Sequence, residues 1–302
     1  MDLRGEIRRL KAEKNAVILA HNYQRPEIQD IADFVGDSLN LSMEAAKTKA
    51  DIIVFCGVLF MAETAKILSP GKTVLLPEKE AGCPMADMIT GEMLRKLKED
   101  HPQASVLCYV NTSAEVKAES HLCCTSANAV QMVQEALADK DEIIFVPDKY
   151  LADYTSKKTG RRFICWEGFC PIHASIRPEH IERQKALHPE APVIVHPECP
   201  PEIIALSDYV ASTEGMCRLV HDLQAREFII GTEEGICYRM KKENPDKVFY
   251  ALDPPVICPD MKKTNLMSVW RALTEGSHEI TVPDEISVRA RQAIEGMIAH
   301  SK

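Results

Sequence analysis

The sequence has no Cys-x-x-Cys pair, no basic cluster larger than two adjacent residues, and no apolar run long enough to cross a membrane. The first absence removes the usual zinc-ribbon and thioredoxin readings, so any metal ligands must come together from distant parts of the chain. The second, with 36 Lys and Arg against 45 Asp and Glu and a net charge of −9, argues against nucleic acid or anionic lipid as a partner. As for the third, the opening segment MDLRGEIRRLKAEKNAVILAHN holds nothing more apolar than the strand-like AVILA. We therefore expect neither a secretory signal nor a membrane span, and a cytoplasmic location. The 11 cysteines would then be reduced thiols rather than a disulfide framework.

What is present is a compact chain with a repeat. At 302 residues, 45% apolar and 27% charged, it can bury more than one core. Three near-continuous apolar runs, AVILAHNY (16–23), ASVLCYVN (104–111) and APVIVHPE (191–198), read as strands buried on both faces of a parallel sheet. His21, Tyr109 and His196 hold the same place in each, 88 and 87 residues apart, and Tyr23, Asn111 and Glu198 follow at the same spacing. Ser38, Ser126 and Thr213, again 88 and 87 apart, each precede a helical pattern and read as N-caps. A second apolar run follows in each unit (DIIVFCG, DEIIFVPD, REFIIGT), then a segment ending in Cys-Pro. Those segments bring Cys83, Cys170 and Cys258, separated by 87 and 88 residues.

Self-similarity at a fixed period marks a repeated architecture, and alternating strands and helices mark a parallel α/β sheet. The expected fold is α/β: three homologous αβα units with parallel sheets around a pseudo-threefold axis, with the active site at the centre. The units are placed at 1–86, 87–172 and 173–263. The tail 264–302 joins the first, its amphipathic DEISVRARQAIEGMIAH forming a helix packed there.

Three cysteines converging on one axis suit a [4Fe-4S] cluster with one iron left free to act as a Lewis acid in a dehydration. Inert buried cysteines are one alternative. Another is structural zinc, because Cys170 and His173 form a Cys-x-x-His pair that could complete a Cys3His site. A simple electron carrier is a third, disfavoured because no fourth cysteine follows the period. Cys199 has no counterpart in the other units, and Cys56, Cys108, Cys123, Cys124, Cys165, Cys217 and Cys237 sit in apolar patterns that indicate core packing. Helix N-termini at Ser38, Ser126 and Thr213 would offer amides to carboxylate or phosphate. His21, His196, Tyr23, Tyr109 and Glu198 are the candidates for moving protons.

With those residues in view, the chain resembles the quinolinate synthase family along nearly its whole length. The segments that carry the resemblance include LAHNYQRPEIQDIADFVGDSL, FCGVLFMAETAKILSP, AGCPMADM, CYVNTSAEVKAES, VHPECP and CPDMKKTNL, and the Gly168, Cys170 and His173 group. The resemblance implies condensation of iminoaspartate with dihydroxyacetone phosphate to quinolinate, with loss of phosphate and two waters, in the de novo route to NAD. A functional link to an iminoaspartate-producing enzyme goes with that route. It further implies a [4Fe-4S] cluster on Cys83, Cys170 and Cys258. Substrate contacts carry over to His21, Ser38, Tyr109, Asn111, Ser126, His196, Glu198 and Thr213, and proton transfer to Tyr23 and Glu198. Two departures stand out. Where the family pattern is Ser-Thr-Ser-Gly, this chain has Ser212-Thr213-Glu214-Gly215, which adds a carboxylate beside an expected anion site. Pro254, Pro255, Val256 and Ile257 precede Cys258 where some members carry paired cysteines, so no thiol–disulfide switch is expected.

Overall fold

The computed structural model describes residues 2–301 and arranges the chain around three separate four-stranded sheets. In the first, β1 (Ala16–His21) lies between β2 (Phe34–Gly36) and β3 (Ile52–Cys56), with β4 (Thr73–Leu75) beyond β3. The second is built in the same way from β5 (Ser105–Tyr109), β6 (Leu122–Cys124), β7 (Ile143–Val146) and β8 (Ile164–Cys165). The third uses β9 (Val193–Val195), β10 (Tyr209–Val210), β11 (Glu227–Gly231) and β12 (Val248–Ala251). Every pairing between these strands is parallel.

Parallel strands need crossover connections, and the crossing helices cover the sheet faces. The inner strands accordingly carry Val, Ile, Leu and Phe without polar alternation, and every residue of β5 is buried. The short edge strands β2, β6 and β10, two or three residues each, do not stand out in the sequence because so few residues show no period.

Two expectations need correcting. Helix Asp284–Ala299 forms where the amphipathic pattern puts it, but it rests mainly on helix Ala114–Ala118 and β6 of the second unit, and meets the first at helix Leu59–Leu68. Its buried stripe of Ala290, Ala293, Ile294 and Met297 fits there because Gly296 lets the backbone approach Leu122, whose Cδ1 would lie 2.9 Å from an added Cβ. An Arg289–Glu119 ion pair of 2.9 Å fastens the rim. Helix Leu266–Glu275, by contrast, does pack against helix Leu3–Glu13 and β3 of the first unit.

In the first and third units the cap also sits one residue earlier than expected. Asp37 accepts from the Asn40 amide at 2.9 Å and Ser212 from the Gly215 amide at 3.2 Å, so Ser38 and Thr213 are the first helical residues. In the second unit Thr125 accepts from the Ala127 amide at 3.2 Å, and Ser126 lies in the turn before helix Ala129–Gln131. The shift matters, since a capping side chain is used up by its own helix, whereas a residue at the first helical position keeps its hydroxyl for a ligand.

Candidate active site

The strand ends of all three sheets meet at one cavity of roughly 80 Å³. Its lining includes His21, Tyr23 and Ser38 from the first unit, Tyr109, Asn111 and Ser126 from the second, and His196, Glu198 and Thr213 from the third. Cys83, Cys170 and Cys258 line the same cavity. All the site residues selected from the period are therefore brought together, although more than 230 positions separate the first from the last.

Glu198 is the hub. Tyr109 Oη donates to its Oε1 at 2.5 Å, Asn111 Nδ2 approaches the same oxygen at 3.5 Å, and His173 Nδ1 lies 2.7 Å from Oε2. Burial would raise this carboxyl, but His173, His196 and the Tyr109 hydroxyl outweigh it and hold Glu198 well below the usual carboxylate range. Burial, reinforced by the Glu198 charge, lifts Tyr23 and Tyr109 far above the ordinary phenol value. The cavity therefore pairs one persistent carboxylate with two persistent phenols.

A hydrogen-bonded chain links these groups. His173 Nδ1 faces Glu198, which can only accept, so in the neutral ring Nε2 is an acceptor. The Thr232 hydroxyl is 2.8 Å from that Nε2 and 2.6 Å from Tyr23 Oη, which orders the chain as Tyr23 to Thr232 to His173 to Glu198. Thr232 and the role of His173 in this chain were not foreseen from sequence. In the sequence His173 stands as a possible fourth zinc ligand and as part of the group with Gly168 and Cys170, and Thr232 has no partner at the period.

His21 and His196 share a local design, each accepting at Nδ1 the amide two residues on, Tyr23 N at 3.2 Å and Glu198 N at 3.3 Å. Nε2 then carries the proton, and in His196 it lies 3.2 Å from Ser126 Oγ. Burial drives both rings down to about 3 despite the nearby Glu198 charge. A depressed histidine stabilises the fold above its unfolded value of 6.5 and loses that contribution as the pH falls. Each ring should therefore withdraw up to about 1.4 kcal/mol of stability per pH unit as the pH falls from 6.5 to 4.5, while the carboxyls of Asp148 and Glu233, raised by burial, act in the opposite direction. Chemical denaturation across that window tests this, and His196→Gln should lower the slope by about one proton; an unchanged slope would contradict the assignment.

The three cysteines share a turn. Each cysteine carbonyl accepts the amide four residues on, Asp87 N to Cys83 O at 3.2 Å, Ala174 N to Cys170 O at 2.9 Å and Lys262 N to Cys258 O at 3.2 Å. Proline at the next position supplies the turn without needing an amide partner of its own, as at Pro171 in helix Pro171–Ala174. Burial pushes Cys83 up to about 12 and also raises Cys170 and Cys258, so these sulfurs become thiolates only when a cation compensates them.

Two buried carboxylates, Asp148 and Glu233, hold the second and third cysteine turns, accepting Cys170 N at 3.1 Å and Cys258 N at 3.3 Å. Both lie two residues past the third strand of their unit, a place filled by Val58 in the first. Their spacing departs from the period, which is why the repeat did not reveal them. Gly168 is also required here, because a Cβ would fall 2.5 Å from Pro147 O.

Of the cysteines assigned to packing, Cys56, Cys108, Cys123, Cys124, Cys199 and Cys217 are buried and Cys237 is partly so. Cys165 is the exception: it sits exposed on the edge strand β8.

Comparison with known proteins agrees with this architecture. The family described as quinolinate synthetase A protein matches residues 5–299. A quinolinate synthase of Thermodesulfovibrio yellowstonii is 56% identical over 294 residues, 97% of this chain and 96% of its own length. One from Methanoregula boonei is 55% identical over 297 residues, 98% of each chain. Quinolinate synthase 1 of Methanosarcina acetivorans is 53% identical over 298 residues, 99% of this chain and 97% of its own. A family match over nearly every residue, joined to relatives above half identity across almost their full lengths, makes this chain a member of the quinolinate synthase family of enzymes.

Proposed function

We propose that this chain condenses iminoaspartate with dihydroxyacetone phosphate to give quinolinate, phosphate and two waters, using a [4Fe-4S] cluster held by Cys83, Cys170 and Cys258. The observation that carries the proposal is one cavity lined jointly by three cysteines on like turns and by the Glu198 network. The donor set fits such a cluster: three soft sulfurs from three separate turns that line one cavity. His173 Nδ1 is shared between Glu198 Oε2 at 2.7 Å and Cys170 Sγ at 3.2 Å, and Nε2 meets the Thr232 hydroxyl at 2.8 Å. When bound, a cluster with three protein ligands supplies an iron that acts as a Lewis acid toward a substrate oxygen.

The chain's own residues account for binding and proton traffic. Ser38 and Thr213 open ten-residue helices at the cavity, so first-turn amides and hydroxyls are available to phosphate and carboxylate in an acidic protein. Ring closure and loss of two waters require protons removed from carbon and nitrogen and delivered to departing oxygens. Glu198 is ionised and so is the cavity's proton acceptor, while Tyr23 and Tyr109, both protonated and lining the same cavity, are its proton donors. Neutral His21 and His196 can donate from Nε2 to a substrate oxygen, with Asn111 and Ser126 beside them. The reading places the protein in NAD biosynthesis in the cytoplasm, downstream of an enzyme that makes iminoaspartate.

Anaerobically purified protein should contain about four irons and four sulfides per chain, and should form one quinolinate and one phosphate per dihydroxyacetone phosphate consumed. One zinc without sulfide, or no quinolinate with both substrates supplied, would end this reading.

A further inference from the structure

Glu214 places a negative charge next to Thr213, where the proposed function needs an anion to bind. That charge is already taken. Arg239 Nη1 lies 2.7 Å from Glu214 Oε2, Nη2 lies 3.3 Å from Oε1, and Nε is occupied by Glu243 at 2.7 Å. None of these three side chains lines the cavity.

The same guanidinium does something further. Its Nη1 also donates to Asn22 Oδ1 at 2.9 Å, and Asn22 Nδ2 donates to Thr213 Oγ1 at 2.9 Å. Asn22 is fully buried, and it reaches from the end of β1 in the first unit to a helix of the third. The direction of this relay is fixed by chemistry. Arginine carries only donors, so the amide oxygen of Asn22 must face it, and the amide nitrogen must then face Thr213. Thr213 Oγ1 is thereby an acceptor behind the cavity wall, and its own proton has no acceptor among the described residues. A hydroxyl in that state, on a residue that lines the cavity, is a donor aimed at the ligand.

We propose that Arg239 is a positioning residue which, acting through Asn22, fixes the Thr213 hydroxyl as a donor for an anionic group of the substrate. The proposal rests on the reading of this cavity as a site for carboxylate or phosphate. Arg239 thus cancels the Glu214 charge and sets the polarity of the one hydroxyl beside it. Without the guanidinium, the Asn22 amide is free to turn over; Thr213 would then donate backward to Asn22 and present lone pairs to the anion.

Three variants test this: Asn22→Asp, which is isosteric but has only acceptors, Arg239→Met, which removes the donor, and Arg239→Lys, which restores one. Equilibrium binding of two probes, quinolinate and inorganic phosphate, should weaken at least tenfold, or about 1.4 kcal/mol, in Asn22→Asp and Arg239→Met. Arg239→Lys should remain within about threefold of the parent protein, because a single ammonium donor suffices to orient the amide. KM for dihydroxyacetone phosphate should rise in parallel while kcat at saturation changes much less, the pattern of a lost binding contact. Folding of each variant is checked by its thermal midpoint, and Asn22→Asp decides the question if the Arg239 variants do not fold. Unaltered affinity for both probes in folded Asn22→Asp protein would overturn the relay and leave the proposed function standing. Failure of the parent protein to bind either probe would remove the anion site and the relay with it.

Discussion

Serine at Cys83, Cys170 or Cys258 is expected to abolish iron–sulfur loading and turnover together, whereas alanine at Cys56 should change neither. The contrast follows from position. Cys56 is fully buried in β3 with no share in the cavity, while the other three line it on like Cys-Pro turns. A serine oxygen is a harder, more basic ligand, poorly matched to iron held among sulfides. Loss of a ligand should exceed the tenfold to hundredfold penalties typical of groups that only orient ligands, so turnover should fall by more than roughly a hundredfold. Iron and sulfide analysis beside anaerobic quinolinate formation measures both effects. A cluster-free Cys170→Ser protein with normal turnover would refute the cluster assignment, and loss of loading in Cys56→Ala would show that the turns do not explain it.

The second large effect is expected at Glu198 and Tyr23 with the cluster left in place. Glu198→Gln keeps the shape but replaces a carboxylate that holds Tyr109 at 2.5 Å and His173 at 2.7 Å by a group that can accept through one atom only. Tyr23→Phe removes the first donor of the chain through Thr232. Each should lower kcat by about 10²–10⁴, the range of general acid–base catalysis, with iron and sulfide contents unchanged. The directions of the acidity shifts assign the roles: Glu198 stays ionised and Tyr23 stays protonated near neutral pH. Near-normal kcat in both variants would reduce the Glu198 network to architecture.

The two groups of residues differ in how visible they are in the sequence. Cys83, Cys170, Cys258 and the strand-end residues could be read because three copies of one unit retained chemically active side chains at equal spacing. Thr232, Asp148, Glu233 and Arg239 could not, because each acts through a contact between units or lies where loop lengths differ. The N-caps show the same limit on a finer scale. Ser38 and Asp37, like Thr213 and Ser212, are adjacent residues that can both cap, and the sequence does not say which one turns toward its own helix.

By itself the sequence determined the α/β class, the threefold repeat, the three cysteines and the hydroxyl, histidine and carboxylate sets, since these follow from periodicity, which is a property of order along the chain. It also showed the helical pattern of the C-terminal segment. Only the tertiary structure decided that helix Asp284–Ala299 lies mainly on the second unit, where Gly296 admits Leu122. Only the tertiary structure, likewise, decided that Glu198 remains charged while His21 and His196 stay neutral. The physical reason is common to these cases: desolvation, charge pairing and the direction of a hydrogen bond depend on distances between residues far apart in sequence. Those distances are set by how the three units close on one another.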